Sequence, residues 1–595
     1  MIITFDTETR GLFGDIFVMG MYDGREFRIV KPNEFFVRLA RYEEPVFAYA
    51  HNLDFDFSKL WKAVGGIDID WGQTIIIHHS LVRVKLAGLK VYLCDSFRLF
   101  PSSLEKLTKD FELAVGKMDL EDYIKEKGYK NKEEFFKNIS PDDATLREYL
   151  KHDCIALYEL LQKAISFSGL GEDEFCKCPT APSLSMRIYQ KMCGDEYQLI
   201  VQDNLTKELE EFGREAYIGA RVEVVKPILN REGHHYDVNS LYPYVMKENS
   251  FPVGKYTRYD GGMCEFAYKV FKEGGFKHGL IKAKVYVPED TYIPLLPFRD
   301  DKLYFPVGRF EGCWTAEELR MAEEFGAVVK PESGVFWQRG EKVFEKFILV
   351  MEKEKISSKG ARRSFFKLIQ NSLYGKFGMK REREAYFPVE KEKMLIEKGR
   401  KYLRINLDSE NEVLVSTKII RADYIRPHIA AYVTSYARMY LYKGIMINPA
   451  TVYYYDTDSL VLDCELPAEM IDDKEYGKWK LEGRIEKAVF LQPKLYAEIR
   501  DGKEVLKSKG LIADYRKEMT FNTYLEILQA ILEGEKEIIL YDNVPARRKF
   551  ISALKLGKDL DEPVLLRKRL NLFAKQKREM DFRANNSKPL KFYTW

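Results

Sequence analysis

Apolar residues along the 595-residue chain alternate at two different periods, and this sets the expected architecture. Tyr453-Tyr454-Tyr455 and Leu460-Val461-Leu462 flank the polar centre Asp456-Thr457-Asp458-Ser459, a pattern of two short strands meeting at a tight turn. Ile2-Ile3-Thr4-Phe5-Asp6-Thr7-Glu8 reads as a strand at the N-terminus, and Ile281–Val287 as another. Helical spacing is carried by Glu148–Asp153, by Ala361–Gly375, which runs unbroken to a glycine, and by Tyr524–Leu532. Gly169–Pro182 is rich in Gly, Pro and polar residues and reads as a linker. The chain is too long for one core, so a multidomain α/β protein of roughly three to five domains is expected.

Charge changes this picture in one place. The whole chain carries +3, yet Tyr541–Trp595 holds 14 Lys and Arg against 6 Asp and Glu, so the basic charge is concentrated at the C-terminus. Charged residues reach 31%, with Lys and Glu prominent, which hints at a thermophilic source. Cys176-Lys177-Cys178 has no second pair at finger spacing, so free thiols are expected rather than zinc. No run of 18 apolar residues occurs and Met1–Asp6 lacks a basic leader, which predicts a cytoplasmic protein that neither crosses a membrane nor is secreted.

The candidate chemistry lies in carboxylates. Strand alternation puts Asp456 and Asp458 on one face and Asp6 and Glu8 on one face. Paired acids repel unless a cation sits between them, and hard oxygen donors suit Mg²⁺ or Mn²⁺. Taken alone, Asp456–Asp458 is equally a polar hairpin tip. Asp56, in His51-Asn52-Leu53-Asp54-Phe55-Asp56, and Asp153 extend the first pair to four acids, which could hold two ions roughly 4 Å apart against a phosphodiester. Each by itself is an ordinary surface acid. Arg363, Lys367 and Asn371 recur every four residues and form one stripe, with Tyr374 beside it and Lys355 about 80° away on the same 3.6-residue helix. Such a row suits a triphosphate, and on an arbitrary helix it is also a solvated basic face.

The order D-x-E (Asp6, Glu8), N-x-x-F-D (Asn52, Phe55, Asp56), Y-x-x-x-D (Tyr149, Asp153) resembles the exonuclease motifs of proofreading DNA polymerases. The resemblance implies an RNase H-like 3′–5′ exonuclease whose ions are held by Asp6, Glu8 and Asp153. It also implies that Tyr149 orients the attacking water, Lys117 lies near the scissile phosphate, and Asn52, Phe55, Ser96 and Phe97 touch a frayed single strand. Further on, Asp237-Val238-Asn239-Ser240-Leu241-Tyr242-Pro243 resembles motif A of family B DNA polymerases, Lys367–Gly375 motif B and Tyr455–Ser459 motif C. Tyr217-Ile218-Gly219, Thr434–Arg438 and Lys494-Leu495-Tyr496 are similar to the family's Y-x-G, T-x-x-A-R and K-x-Y segments and keep the family order. These imply two Mg²⁺ or Mn²⁺ ions on Asp237, Asp456, Asp458 and the Val238 carbonyl. They imply dNTP contacts by Lys355, Arg363, Lys367, Asn371 and Tyr374, sugar selection by Tyr242, and DNA contacts by Tyr217, Gly219, Thr434, Arg438, Lys494 and Tyr496.

Two inserts, one of about a hundred residues before motif B and one after it, resemble those of protein-primed polymerases of the phage phi twenty-nine type. The implied organisation is an exonuclease domain at 1–170, linker and first palm part at 171–246, a first insertion at 247–346 that docks a terminal protein, and fingers at 347–378. A ring-closing second insertion at 379–428, the second palm part at 429–518 and a basic thumb at 519–595 complete it. The resemblance implies a monomer that binds primer-template and single-stranded DNA, uses a terminal protein as primer, and copies processively with strand displacement. The alternatives are a 3′–5′ exonuclease, or a DNA-binding replication protein, with an inert polymerase half.

Overall fold

The apolar N-terminal run forms the middle of a seven-stranded sheet. Its strands are β1 (Ile2–Thr9), β2 (Ile16–Tyr22), β3 (Phe27–Ile29), β4 (Val46–Ala50), β5 (Ile75–Ile77), β6 (Ser80–Lys85) and β7 (Val91–Asp95), ordered β3-β2-β1-β4-β7-β6-β5. The computed structural model describes residues 1–116, 118–406, 412–535, 537–571 and 576–595. Lys117, expected beside the scissile phosphate, lies outside them. Helix α1 (Leu53–Val64) leaves the end of β4, and α2 (Ala144–Ser168) packs on β1 and β2. The Asp143 side chain caps α2 through the Leu146 N–H, and the Thr4 hydroxyl donates to the Cys154 carbonyl at 2.7 Å, locking α2 to β1.

Gly169, at φ 66°, ends α2 as a left-handed cap. The segment after it is not a free linker. Glu172–Cys176 is helical, Phe175 and Cys176 are fully buried, and Arg83 donates to the Cys176 carbonyl. Its glycines and prolines mark helix ends, where the polar composition caps rather than unfolds.

The central sheet is built from segments far apart in sequence. Its strands β8 (Val222–Val224), β9 (Gly233–Val238), β10 (Val452–Asp456), β11 (Ser459–Leu462), β12 (Trp479–Gln492), β13 (Leu495–Arg500) and β14 (Lys503–Ser508) run in the order β14-β13-β12-β9-β11-β10-β8. Helix α3 (Leu241–Glu248) follows β9, and α4 (Glu345–Ser357) and α5 (Gly360–Ser372) pack against each other. Extended backbone at Ser358 separates α4 from α5, so Lys355 is not on the helix that carries Arg363. Nor does Gly375 end the fingers pattern, because Tyr374–Phe377 adds a further helical turn. Helix α6 (Pro427–Ile445) is the buried spine that contacts α3 and β11.

The first insertion forms a sheet of Tyr256–Asp260, Val328–Trp337, His278–Val287 and Val307–Thr315, to which the C-terminal strand Lys591–Tyr593 adds in parallel. The chain end thus returns to a unit some 280 residues upstream. The second insertion is a three-stranded sheet of Glu382–Pro388, Glu412–Ile419 and Tyr402–Asn406. Its Tyr386 stacks on Trp71 at 5.5 Å and shares a core with Phe550 and Ile551 of the C-terminal segment. Each such fully buried side chain contributes roughly 2 kcal/mol, so the three bodies meet in a stable joint. Among the described residues no helix is long and apolar enough to cross a membrane.

Candidate active sites

In the central sheet Asp237 pairs with Ser459, and Ser459 with Asp456, so the three stand abreast on β9, β11 and β10. Residues abreast share a face, which turns both aspartates to the same side. Asp458 is not on a strand. Thr457-Asp458 is the two-residue turn between β10 and β11, with Thr457 in the left-handed region at φ 64°, and strand alternation therefore does not govern Asp458. Backbone bonds hold the turn: Val238 N–H donates to the Asp458 carbonyl at 2.7 Å and Thr457 N–H to the Arg221 carbonyl at 2.8 Å.

Burial, then the charges of Asp458 and Glu482, push the Asp237 carboxyl up to about 7 despite Lys367 and Lys480. Burial, then Asp456, pushes Asp458 up to about 6 despite Lys494 and Lys367. Mutually repelling half-buried acids are the arrangement a divalent cation relieves. Among the described residues, however, no group of three or more His, Cys, Asp or Glu side chains is gathered as a ready cation cage. The cause at Asp456 is visible: its Oδ1 accepts from Lys494 Nζ at 2.7 Å and from the Thr457 hydroxyl at 3.0 Å. Carboxylate oxygens are the donor type that Mg²⁺ or Mn²⁺ takes.

Lys494 itself sits at φ 63° in the turn between β12 and β13, with its N–H on the Tyr454 hydroxyl. Tyr496 is buried 5.0 Å from the Tyr454 ring, supporting this turn from below. Arg363, Lys367 and Asn371 are exposed on one face of α5, as their spacing predicts. Lys355 reaches the same region from α4: its Nζ donates to Ser240 Oγ at 2.8 Å and lies 4.5 Å from the Tyr476 ring centre. Burial, then Lys367 and Arg363, lowers its ammonium to about 8. Tyr242 and Tyr374 stack at 4.8 Å and 13°, which joins α3 to the turn after α5. Tyr217 packs on Gly378, where any Cβ would collide with its ring at 2.3 Å, and Gly219 is exposed beside it.

Thr434 and Arg438 are not at a surface. Thr434 is buried with its hydroxyl on the Ala431 carbonyl, and Arg438 forms a bidentate pair with Glu318 at 2.8 and 2.7 Å and donates to the Ile218 and Gly219 carbonyls. Arg438 thus shapes the Tyr217–Gly219 loop instead of meeting a phosphate. Arg438→Ala is expected to strand the buried Glu318 carboxylate and cost about 3–5 kcal/mol, read as a lowered midpoint in chemical unfolding. An unchanged midpoint would contradict the pairing.

In the N-terminal sheet Asp6 and Glu8 lie on β1 and Asp153 on α2. The Tyr149 hydroxyl is pushed far above its usual range by burial and by Asp153, Glu8 and Asp6, and the Cys154 thiol by burial, Asp6, Asp153 and Asp56. Asp6 and Asp153 thus act on both groups, Glu8 on Tyr149 and Asp56 on Cys154. Asp56 is buried and its Oδ1 accepts from the Thr7 N–H at 3.2 Å and hydroxyl at 2.7 Å; burial outweighs these bonds and raises it to about 7. One carboxylate oxygen of buried Asp95 accepts from the N–H groups of Asn52, Leu53 and Phe97, which orders the expected single-strand segments together. Asn52, at φ 80°, is exposed, and Phe55 and Phe97 are half-buried. Ser96 is fully buried, its hydroxyl on the Ala50 carbonyl and His51, so it supports the site from within.

The family model "DNA polymerase type B, organellar and viral" matches residues 39–451, more than two thirds of the chain. The chain belongs to this family. It is 28% identical over 499 residues to a probable DNA polymerase of Neurospora intermedia, a match covering 73% of this chain and 49% of that one. It thus spans about half the length of that relative. With the DNA polymerase of Bacillus phage phi29 it shares 26% identity over 529 residues, 80% of this chain and 85% of the phage protein. The solved structure of phi29 DNA polymerase with primer-template DNA superposes with a TM-score of 0.73 at 20% identity, covering 96% of this chain and 99% of that chain. The fold is that of a type B polymerase, with exonuclease, palm, fingers and thumb. The basic runs of the C-terminal part divide: Arg567, Lys568 and Arg569 lie on the hairpin strand Val564–Asn571, whereas Arg547 turns onto the exonuclease unit and the exposed Lys549 donates to its His78 carbonyl.

Proposed function

We propose that this chain is a DNA-directed DNA polymerase with a separate 3′–5′ exonuclease centre, and that it uses dNTPs. The observation that carries the reading is the meeting of Asp237, Asp456 and Asp458 with Lys367 of the fingers and Lys494 of the K-x-Y turn, since a nucleotidyl transfer centre needs clustered acids faced by cations. Asp237, Asp456, Asp458 and the Val238 carbonyl would hold two Mg²⁺ or Mn²⁺ ions, and Asp6, Glu8 and Asp153 those of the exonuclease. Such ions lower the pKa of an attacking hydroxyl and neutralise charge on the transferring phosphoryl group.

The chain's own groups do the remaining work. Lys355, Arg363, Lys367 and Asn371 bind the triphosphate, Tyr374 covers the nascent base pair, and Tyr242, stacked beneath it, excludes a ribose 2′-hydroxyl. Lys494 steadies the primer terminus. In the exonuclease Tyr149 orients water, Asp56 completes the acidic set, and Asn52, Phe55 and Phe97 hold the single strand by stacking and polar contacts. We assign 1–170 to the exonuclease, 171–246 and 429–518 to the palm, 347–378 to the fingers and 519–595 to the thumb. Residues 247–346 form the surface for a terminal protein. The joint of residues 379–428 with the thumb encircles DNA and gives processive, strand-displacing synthesis.

A labelled primer on a longer template, incubated with Mg²⁺, is expected to lengthen with dNTPs and shorten without them. Shortening alone would reduce the chain to a nuclease. The lowered Lys355 ammonium adds a pH signature, since it binds triphosphate only when charged. Wild-type kcat/KM for dNTP is expected to fall relative to Lys355→Arg as pH rises through about 8, because arginine stays protonated there. A ratio constant from pH 7 to 9 would remove Lys355 from the triphosphate site.

A further inference from the structure

The basic run Arg547-Arg548-Lys549 belongs by sequence to the thumb, yet Arg547 is half-buried against the exonuclease. Its guanidinium lies 4.9 Å from the centre of the Phe55 ring, donates to the Asp54 carbonyl at 3.3 Å and to the Ser58 hydroxyl, and stands 3.6 Å from the Asp54 carboxylate. All of these groups lie on the first two turns of α1, which also carries Asp56. The same Asp54 carboxylate accepts from Phe550 N–H at 3.2 Å and from Leu81 N–H at 3.2 Å, so thumb and sheet β6 grip one acid. Phe550 is fully buried between Phe57 at 5.0 Å and Trp61 at 5.2 Å.

A second latch lies further along α1. Asp561 of the thumb accepts from Lys59 Nζ at 2.5 Å and from Lys62, whose side chains make no hydrogen bond to the Phe55 ring or the Asp56 carboxylate that Arg547 faces. The two latches differ in what they hold. The Asp561 latch only docks the thumb, whereas the Arg547 latch grips the turn that presents the single-strand contact and a catalytic carboxylate.

We propose that Arg547 is a positioning residue for proofreading: the docked thumb, through this side chain, sets the Phe55–Asp56 turn, and excision of a frayed 3′ end depends on it. The inference rests on the exonuclease reading given above. A ring held by a guanidinium on one face keeps its other face available for a base, and a misplaced contact of this kind lowers the reaction step without touching the acids.

The test compares Arg547→Ala, Arg547→Lys and Asp561→Asn in the full chain. It measures single-turnover excision of a mismatched primer end and single-nucleotide addition to a matched one. Arg547→Ala is expected to slow excision roughly tenfold or more while addition stays within about twofold. Arg547→Lys, which keeps the charge and loses the fork, is expected to recover only part of the excision rate. Asp561→Asn, whose amide oxygen still accepts from the buried Lys59 Nζ, is expected to change neither reaction beyond about twofold, which the addition rate also verifies as a folding control. Equal slowing of excision by Asp561→Asn would show that docking alone matters and would overturn the proposal, as would normal excision by Arg547→Ala. If wild type itself fails to shorten single strands, the exonuclease reading falls and this inference with it.

Discussion

Replacing Asp458 with alanine is expected to lower primer extension by roughly 10³-fold or more, while degradation of single-stranded DNA continues at the wild-type rate. Asp458 lies in the Thr457-Asp458 turn, its backbone bonded on both sides to Val238 and Asp456, so alanine leaves the hairpin intact. What it removes is one of the acids that raise the Asp237 carboxyl, and with it part of the cation site proposed for the palm. Relief of that repulsion gives an independent reading: in the metal-free variant Asp237 is expected to titrate nearer its ordinary range. Extension by the variant within tenfold of wild type would remove Asp458 from the centre.

The double replacement Asp6→Ala with Glu8→Ala is expected to do the reverse. Both side chains project from β1, which pairs with β2 at Asp6 and Glu8 and with β4 at Ile2–Thr4, and Thr7 between them keeps its bonds to Asp56. The sheet survives, and the acids that face Tyr149 and Asp153 are lost. Single-strand degradation is expected to fall by roughly 10³-fold or more, with unchanged matched-primer extension and more mismatches retained in the product. Loss of both activities in a folded variant would contradict two separate centres.

Much of this was legible because the decisive motifs are local. The Tyr453–Leu462 hairpin, the Asp6–Glu8 strand and the Arg363–Lys367–Asn371 stripe each depend on residues within ten positions of one another, where period and turn chemistry suffice. The misread features depend on distant partners. Arg438 resembles a phosphate contact until Glu318, 120 residues earlier, takes its fork. Arg547 lies in the basic C-terminal segment, yet Asp54, almost 500 residues away, turns it onto the exonuclease unit. Lys591–Tyr593 has nothing in its composition to send it beside Val307–Thr315. Asp458 failed for a different reason: strand alternation holds only on strands, and a left-handed Thr457 moved it into the turn. A basic residue in a run is therefore weak evidence for DNA contact until its buried acid partners are known.

The measurement that tests the central claim most directly is the conversion of a dNTP to free dNMP on a blunt primer-template with Mg²⁺. It requires insertion and then excision at the same 3′ end. Wild type is expected to release dNMP steadily, and Asp458→Ala and the Asp6→Ala, Glu8→Ala double variant are each expected to release almost none. Undiminished release by either variant, or none from wild type, would contradict the account of one chain with two centres.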